Sequence, residues 1–253
     1  MIGDLTVLGL ITARGGSQGV PRKNLRNIAG RSLLERAIAS GHAAQTLDRV
    51  ILSSDDPEII QAAILLGCDV PFVRPAELAT GEARSIDVVR HALWVLPERC
   101  DLIVLLQPTS PFRTGADIDG AVRLCVESGA PACVSVCLPD KPPHWTFELA
   151  EGARMRPLMP DHYLIPRRQE LPPAYAINGA VFVARSDWIV NQPDFVMPET
   201  VGYVMPKERS LDIDDEMGLA VAEALARHIE RDAGATDAAP EVRAAAGRGR
   251  SSG

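Results

Sequence analysis

Two groups of residues have the types and spacing needed to bind a phosphorylated ligand together with a metal ion. The first group follows an apolar run, Val7 to Ile11, and lies in the loop from Ile11 to Asn24. Glycines let main-chain N–H groups approach an anion closely, while cations neutralise its charge. The loop therefore predicts an oligophosphate site, carried by the glycines and cations Arg14, Gly15, Gly16, Gly19, Arg22 and Lys23.

The second group is a pair of carboxylates near the end of the chain, Asp212 and Asp214. In an extended segment, residues two apart face the same side, so both aspartates would face one way while Ile213 faces the core. Carboxylate oxygens suit Mg²⁺, which keeps part of its water shell and is shared with substrate phosphates. The alternative is that Asp214 and Asp215 cap the last helix, and for Asp215 alone capping is the preferred interpretation.

The elements that must position these groups alternate between strands and helices. Short apolar runs predict buried strands, and apolar residues at helical spacing predict helices, one of them beginning with Ser85 as its N-cap. Strands that are apolar on both faces indicate a mostly parallel sheet covered by helices, which is an α/β fold. The predicted strands are 7–11, 49–53, 70–73, 102–107, 132–137, 176–184 and 201–205, and the predicted helices are 32–45, 57–67, 85–96, 114–128, 186–192 and one from about 215 to about 230.

Two stretches depart from this alternation. Residues 139–175 are rich in proline and lack helical periodicity, which predicts an extended arm that packs on a partner subunit. A floppy linker is the alternative. Residues 232–253 have Val242 as their one large aliphatic side chain, which predicts a disordered tail. The domain that carries the chemistry is therefore predicted to span residues 1–231, including the arm.

The whole composition limits the classes of function. With 253 residues, 46% of them hydrophobic and 23% charged, the chain is an ordinary globular one. The net charge of −7 argues against nucleic-acid binding. Because there is no apolar run long enough to span a membrane and no signal-peptide pattern, we expect a cytoplasmic protein. The five cysteines form no C-x-x-C pair, which predicts buried free thiols.

Six segments resemble, in the same order, those of the cytidylyltransferases that activate sialic acids, the CMP-N-acylneuraminate synthetases. The segments lie between about residues 5 and 228 and read ARGGSQGVPRKNL, RPAEL, LLQPTSPFR, RQELP, INGAVF and LDIDDE. The resemblance implies a Rossmann-like, GT-A-like nucleotidyltransferase fold and a homodimer with an exchanged arm. It also implies transfer of CMP from CTP to a nine-carbon 2-keto acid sugar, with release of pyrophosphate.

The resemblance further implies roles for individual residues. The anomeric 2-hydroxyl of the sugar attacks the α-phosphorus, so no protein nucleophile is required, and catalysis is mostly positioning and electrostatics. Whether Mg²⁺ or Asp214 helps to deprotonate that hydroxyl stays open. The implied roles are Arg14 and Lys23 on the triphosphate, Gly15, Gly16, Ser17 and Gln18 in the loop around it, Asn24, Arg74 and Ser85 around the cytidine, Gln107, Asn178 and Phe182 beside the sugar, Arg168 reaching from the arm to the neighbour's sugar carboxylate, and Asp212 and Asp214 on Mg²⁺.

Two residues depart from the family's pattern. Many members carry Lys where this chain has Gln18, so the phosphate loop here has one charge fewer. Near Trp145, bacterial sialic acid enzymes carry a Lys that helps to bind the sugar, whereas an indole offers an apolar wall for stacking. We therefore hypothesise a related substrate, a di-N-acylated sugar of the legionaminic or pseudaminic type.

Three other functions fit parts of the sequence. Gly15 to Gly19 matches the G-x-S-x-G nucleophile elbow of esterases. In that hypothesis Ser17 is the nucleophile, Asp212 or Asp214 is the acid and His228 is the base. Against it, a basic loop follows Gly19 in the sequence, whereas the elbow must lead directly into a helix. A nucleotide-sugar glycosyltransferase shares the α/β half and a D-x-D pair, although it lacks such a triphosphate loop. A binding protein that has lost catalysis and kept the dimer is the third alternative.

Overall fold

The computed structural model describes residues 2–17, 19–159 and 167–237, with the side chains of Arg168 and of residues 230–237 excepted. Its centre is a six-stranded sheet made of β1 (Val7–Thr12), β4 (Arg49–Ser53), β5 (Leu102–Leu106), β6 (Ala132–Cys137), β9 (Ala176–Arg185) and β10 (Val201–Val204). Their order across the sheet is β10-β6-β9-β5-β1-β4. Strand β9 is antiparallel to β5 and β6, while the pairs β1–β4, β1–β5 and β6–β10 are parallel. The predicted mostly parallel sheet is confirmed.

Helices cover both faces of this sheet because the strands are apolar on both sides. Helices α1 (Leu33–Ala43), α2 (Pro57–Leu65) and α4 (Gly115–Glu127) pack on one face through residues such as Leu34, Ile59 and Val122. Helices α3 (Ser85–Val95) and α5 (Ser186–Ile189) pack on the other face through Val89 and Ile189. The last helix of the described part is α6 (Glu216–Asp237).

Two small hairpins lie outside the central sheet. Strands β2 (Asn27–Ile28) and β3 (Arg31–Ser32) form one of them, and Ile28 belongs to the apolar cluster that contains Ala222 and Ala226 of α6. Strands β7 (Phe147–Ala150) and β8 (Arg154–Pro157) form the other, within the predicted arm. Among the described residues, no helix is long and apolar enough to cross a membrane. All five cysteines lie in the described part and are free thiols, as predicted, but only Cys68, Cys125 and Cys133 are buried, while Cys100 and Cys137 are partly exposed.

Several predicted elements differ from the structure, among them helix 186–192, which ends at Ile189. Residues 70–73 form no strand, and one bridge from Asp69 to Ile51 replaces it, since Pro71 has no N–H to donate to a ladder. Helix α3 takes Arg84 at its N-cap position, so Ser85 is its first residue and not its cap. Helix α6 continues to Asp237, past the predicted end near Glu230 and into the predicted tail, whose residues 238–253 lie outside the described residues.

Candidate functional site

A cavity of about 440 Å³ opens at the carboxyl ends of β1 and β5. Ligands of open α/β sheets bind at this edge, where parallel strands end together. The predicted phosphate loop and the predicted metal carboxylates both reach this cavity. Of the residues predicted for the site, the lining includes Arg14, Ser17, Lys23, Asn24, Arg74, Ser85, Gln107, Asp212 and Asp214.

Lys23 joins the phosphate loop to the carboxylate segment. Its Nζ donates a hydrogen bond of 2.7 Å to the main-chain carbonyl of Ile213 and lies 3.9 Å from Oδ1 of Asp214. Its side chain is only 14% exposed. The ammonium group is therefore held between the two groups that the sequence predicted, where a compact point charge can face both a phosphate and a carboxylate.

Arg22, next to Lys23 in the chain, turns the other way. Its guanidinium pairs with Asp56 at 3.5 Å and also with Glu58, at the start of helix α2. It is not among the residues that line the cavity. Of the three cations that the sequence placed in the loop, the structure thus brings Arg14 and Lys23 to the cavity and uses Arg22 to fasten the loop to α2.

Arg14 and Asn24 both line the cavity, and a hydrogen bond joins them. The guanidinium of Arg14 donates to the carbonyl of Thr80, which belongs to the segment between α2 and α3. Asn24 is 6% exposed, and its amide donates a 3.0 Å hydrogen bond to the main-chain carbonyl of Arg14. Asn24 lines the cavity as predicted, and it also fixes the backbone from which Arg14 projects.

Arg74 is a buried cation beside the end of β4. Its Nε donates to Oγ of Ser53 at 3.0 Å, and its Nη2 donates to the Ser53 carbonyl at 2.5 Å. Desolvation lowers the pKa of Arg74 to about 10, with Asp55 raising it and Arg14 lowering it. The group is therefore still charged at neutral pH and adds a fixed positive charge to the cavity wall.

Asp212 and Asp214 flank Ile213, which is fully buried, so the predicted alternation of this segment is confirmed. The N–H of Ile213 donates a 2.9 Å hydrogen bond to the carbonyl of Thr109. Desolvation in the cavity raises the pKa of Asp212, and the charge of Asp214 raises it further, while Thr109 and Lys23 oppose the shift. Within the described ranges, no three metal-ligating side chains cluster together. A cation held here would take its remaining ligands from water and substrate.

The residues predicted to bind the sugar divide into two sets. Gln107 lines the cavity, and its Nε2 lies 3.4 Å from Oγ of Ser85. Asn178, Phe182 and Trp145 are absent from the lining. The side chain of Arg168 lies outside the described residues, as does Gln18.

Asn178 and Phe182 have structural partners instead. Asn178 is 4% exposed: its Oδ1 accepts from Ser135 at 2.6 Å, and its Nδ2 donates to Ser210 at 2.9 Å. Phe182 packs against Phe195, with ring centroids 5.4 Å apart. Because Ser210 lies two residues before Asp212, the hydrogen bond from Asn178 to Ser210 helps to hold the carboxylate segment in place.

Gly15 and Gly16 belong to the phosphate loop without lining the cavity. The N–H of Gly15 donates to Oδ1 of Asp55 at 3.1 Å, so this amide is bound by the loop between β4 and α2. Two residues that the sequence analysis missed, Thr80 and Thr109, do line the cavity. Thr109 lies in the segment LLQPTSPFR, from which only Gln107 was selected.

Comparison with known proteins now identifies the family. A family model described as Cytidylyltransferase matches residues 8–147, the part that contains β1, the phosphate loop, Arg74 and Gln107. The chain belongs to the cytidylyltransferase family. Membership confirms the predicted nucleotidyltransferase class and rules against the esterase hypothesis, whose base His228 is exposed on α6 and absent from the cavity lining.

Several named relatives of this cytidylyltransferase cover most of the chain. It is 32% identical over 217 residues to N-acylneuraminate cytidylyltransferase of Escherichia coli O18:K1:H7, covering 85% of this chain and 51% of that protein. It is 29% identical to CMP-N,N'-diacetyllegionaminic acid synthase of Legionella pneumophila, covering 87% and 96%. It is 30% identical to pseudaminic acid cytidylyltransferase of Campylobacter jejuni, covering 86% and 95%. The chain thus spans about half of the first relative and nearly all of the others.

A solved structure shows the same fold at lower identity. CMP:2-keto-3-deoxy-manno-octonic acid synthetase, in complex with CTP, superposes with a TM-score of 0.66 at 17% identity, covering 88% of this chain and 99% of the other. A 4-diphosphocytidyl-2C-methyl-D-erythritol synthase of Anaerococcus prevotii superposes with a TM-score of 0.62. These likenesses confirm the predicted Rossmann-like nucleotidyltransferase fold.

Proposed function

We propose that the protein transfers CMP from CTP to the anomeric 2-hydroxyl of a nonulosonic acid and releases pyrophosphate. The observation that carries the proposal is the single cavity in which Arg14 and Lys23 meet Asp212 and Asp214. Two cations and two carboxylates suit a triphosphate that arrives with a divalent cation. The names of the relatives from Escherichia, Legionella and Campylobacter support the nonulosonic acid as acceptor.

The chain's own residues would act by holding charge and orientation. Lys23, fixed by its bond to the Ile213 carbonyl, would neutralise charge on the phosphates, and Arg14 would exchange the Thr80 carbonyl for a phosphate oxygen. The pre-placed cations stabilise charge that develops on the leaving pyrophosphate without costly reorganisation. The sugar hydroxyl, held in line with the α-phosphorus, gives up its proton, to Asp214 or to water, and forms the new P–O bond as the bond to pyrophosphate breaks and pyrophosphate leaves.

Asp212 and Asp214 fit a Mg²⁺ ion in this proposal. They are carboxylates on one side of an extended segment that lines the cavity, and they offer two hard oxygen donors. Desolvation and the charge of Asp214 raise the pKa of Asp212, and a divalent cation bound to the pair would oppose both effects. When bound, the ion would polarise the phosphate oxygens.

The acceptor side of the cavity would be formed around Gln107. We propose a di-N-acylated sugar of the legionaminic or pseudaminic type as the acceptor, since Trp145 replaces a cationic side chain by an indole. Trp145 lies in a short turn, Pro143–Trp145, at the base of the arm. The two relatives that this chain spans almost completely are named for the legionaminic and pseudaminic acids, which supports the same class.

The arm supports the proposal of a homodimer. In the β7–β8 register, Leu149 stands opposite Met155 and Phe147 opposite Pro157, so one face of the hairpin is apolar. Leu149 is 74% exposed and Met155 63% exposed. The opposite face carries the pair Glu148 and Arg156. An amphipathic hairpin with a bare apolar face fits a second copy of the chain, because such faces mark protein contacts.

The remaining parts of the proposal concern the domain and its compartment. We assign catalysis to residues 1–231, with the arm at 139–175 as the dimer contact and residues from 232 onward as an appendage. We place the reaction in the cytoplasm, which fits a chain whose five cysteines are all free thiols.

The test is purified protein with CTP, Mg²⁺ and a panel of nonulosonic acids, with release of pyrophosphate as the readout. We expect turnover with diacetamido sugars, loss of turnover with EDTA, and little with ATP, GTP or UTP. Asp212→Ala should abolish turnover while leaving the thermal unfolding transition in place. Equal or faster turnover with N-acetylneuraminate would overturn the sugar assignment, and no pyrophosphate with any sugar would overturn the function.

A further inference from the structure

Strand β9 parts from β5 at the edge of the cavity, while its pairing with β6 continues past a bulge to Ala176 opposite Cys137. Its ladder with β5 ends at the pair Leu105 and Phe182, and its register with β6 shifts between Val134 and Val136. On the N-terminal side of Phe182, β9 contains Ala180 and Gly179, which lie beside the cavity. Divergence of strands at this edge creates room for a ligand, but main-chain carbonyls released from a ladder must find other donors.

Arg113 supplies that donor on the β5 side. Its Nη1 donates to the carbonyl of Gln107 at 2.9 Å and to the carbonyl of Ala180 at 2.7 Å. Its Nε donates to Oγ of Ser40 at 3.2 Å, and the residue is 4% exposed. One buried nitrogen thus bridges Gln107, which follows β5, to Ala180 of β9, two residues beyond the last pair of their ladder.

The two bridged carbonyls belong to the acceptor side of the cavity. Gln107 lines the cavity directly. Ala180 follows Gly179, whose φ is +74°, and a β-carbon built on Gly179 would lie 3.2 Å from Oδ2 of Asp212 and 3.3 Å from Oε1 of Gln107. The spacing between Gln107, Gly179 and Asp212 therefore depends on how far β5 and β9 stand apart, which is the distance that Arg113 spans.

We propose that Arg113 is a positioning residue that sets the width of the acceptor pocket by holding the end of β5 to the start of β9. It touches no substrate and acts through Gln107 and Gly179. The kinetic consequence rests on the function proposed above, whereas the structural consequence does not.

A guanidinium suits this position better than other cations do. The Nη1 and Nε groups of its planar guanidinium donate hydrogen bonds to three oxygens at fixed angles, whereas a lysine ammonium is a point charge on a flexible chain. Desolvation lowers the pKa of Arg113 to about 10, and Asp117 opposes the shift. The group therefore keeps its charge at neutral pH, and its bonds to the two carbonyls are charge-assisted.

The first measurement is hydrogen exchange on the ligand-free protein, comparing wild type with Arg113→Lys and Arg113→Met. We expect amide exchange near residues 107–110 and 178–181 to speed up by about tenfold or more, with β1 and β4 unchanged. Arg36→Lys is the matched control, since Arg36 donates to the carbonyl of Ile28 away from the cavity. Unchanged exchange at both segments in Arg113→Lys would overturn the proposal, even if Arg113→Met fails to fold.

The second measurement is a double-mutant cycle between Arg113→Lys and Gln107→Ala, with KM for the acceptor sugar and for CTP as readouts. We expect Arg113→Lys to raise the sugar KM by about tenfold with little change in the CTP KM, and to add little in the Gln107→Ala background. Additive effects in the cycle would show a general structural role and overturn the positioning role. If no sugar is turned over, the function fails, and hydrogen exchange alone decides the role of Arg113.

Discussion

Gly19 lies directly against the main-chain carbonyl of Asp214: a β-carbon built on Gly19 would stand 2.2 Å from that oxygen. The phosphate loop and the carboxylate segment are therefore in contact through a residue without a side chain, although 195 positions separate them in the sequence. Any larger residue at this position must push the two groups apart, because real β-carbons do not approach an oxygen so closely.

Gly19→Ala should consequently impair catalysis far more than stability. We expect kcat/KM for CTP to fall by about 100-fold, because the cations of the phosphate loop would move away from the carboxylates of Asp212 and Asp214. Gly16→Ala is the matched control in the same loop, since a β-carbon there meets no atom within 4 Å. Its kcat/KM should stay within about twofold of wild type. Equal losses in the two variants would show that the loop needs glycine for flexibility and not for contact.

Gly179→Ala should separate backbone strain from pocket geometry. Gly179 has a φ of +74° and faces Asp212 and Gln107, whereas Gly129, after helix α4, has a φ of +69° and faces open space. Both alanine variants should lose about 1 to 2 kcal/mol of unfolding free energy, because L-residues resist this conformation. Only Gly179→Ala should raise the KM for the sugar. Urea denaturation and steady-state kinetics measure the two effects, and a kinetic defect in Gly129→Ala would contradict the assignment.

Lys23 and Arg22 are adjacent cations, and we expect their substitution to change kcat/KM for CTP by different amounts. Lys23→Met removes the bond to the Ile213 carbonyl together with a positive charge at the cavity, and kcat/KM for CTP should fall by about 100-fold or more. Arg22→Met removes contacts to Asp56 and Glu58 on the surface, and kcat/KM should change by less than about fivefold. Steady-state kinetics at fixed Mg²⁺ compares them. A larger loss for Arg22→Met would mean that this arginine leaves α2 to reach the nucleotide.

The sequence predicted the elements and the two reactive groups because each has a local signature. Apolar runs mark strands, and the glycine-rich cationic loop and the alternation around Ile213 are visible within a few residues. The direction of Arg22 had no such signature, since its partners Asp56 and Glu58 lie more than thirty residues away and look like ordinary helix-start acids.

Asn178 and Arg113 are two further residues whose partners could not be predicted from the sequence. Both lie in motifs that resemble the family's, so the sequence analysis assigned Asn178 to the sugar and left Arg113 without a role. Their actual partners, Ser210 and the carbonyls of Gln107 and Ala180, come together only through the order of strands in the sheet. Residue type alone cannot tell a polar group that binds a ligand from one that supports the residues around it.

Asp117 should make stability depend on pH through its contact with Arg209. Arg209 donates twice to this carboxylate, each time at 2.9 Å, and Thr114 shares it at the start of α4. Desolvation raises the pKa of Asp117, but these bonds outweigh it and hold the pKa below its usual value. A lowered carboxyl pKa stabilises the fold above the unfolded-state pKa of about 4, and this contribution disappears as the pH falls through the folded-state pKa.

Asp117→Ala should therefore lose about 3 kcal/mol of unfolding free energy at pH 7, and its difference from wild type should shrink below about pH 4. Urea denaturation at both pH values measures this. Glu35→Gln, which breaks the surface pair with Arg31, is the control and should cost about 0.3 kcal/mol. A difference that is constant with pH would show that the helix cap, and not the charge, accounts for the effect.

The arm offers the most direct test of the proposed homodimer. Met155→Glu or Leu149→Glu places a charge on the apolar face of the β7–β8 hairpin, where it would be buried in an interface, and burying an unpaired charge is costly. We expect analytical ultracentrifugation to show dimeric wild type and largely monomeric variants at micromolar concentration. Glu148→Gln, on the polar face of the same hairpin, should leave the dimer intact. If wild type sediments as a monomer, the apolar face serves another partner and the arm's proposed contribution to the neighbour's site fails with it.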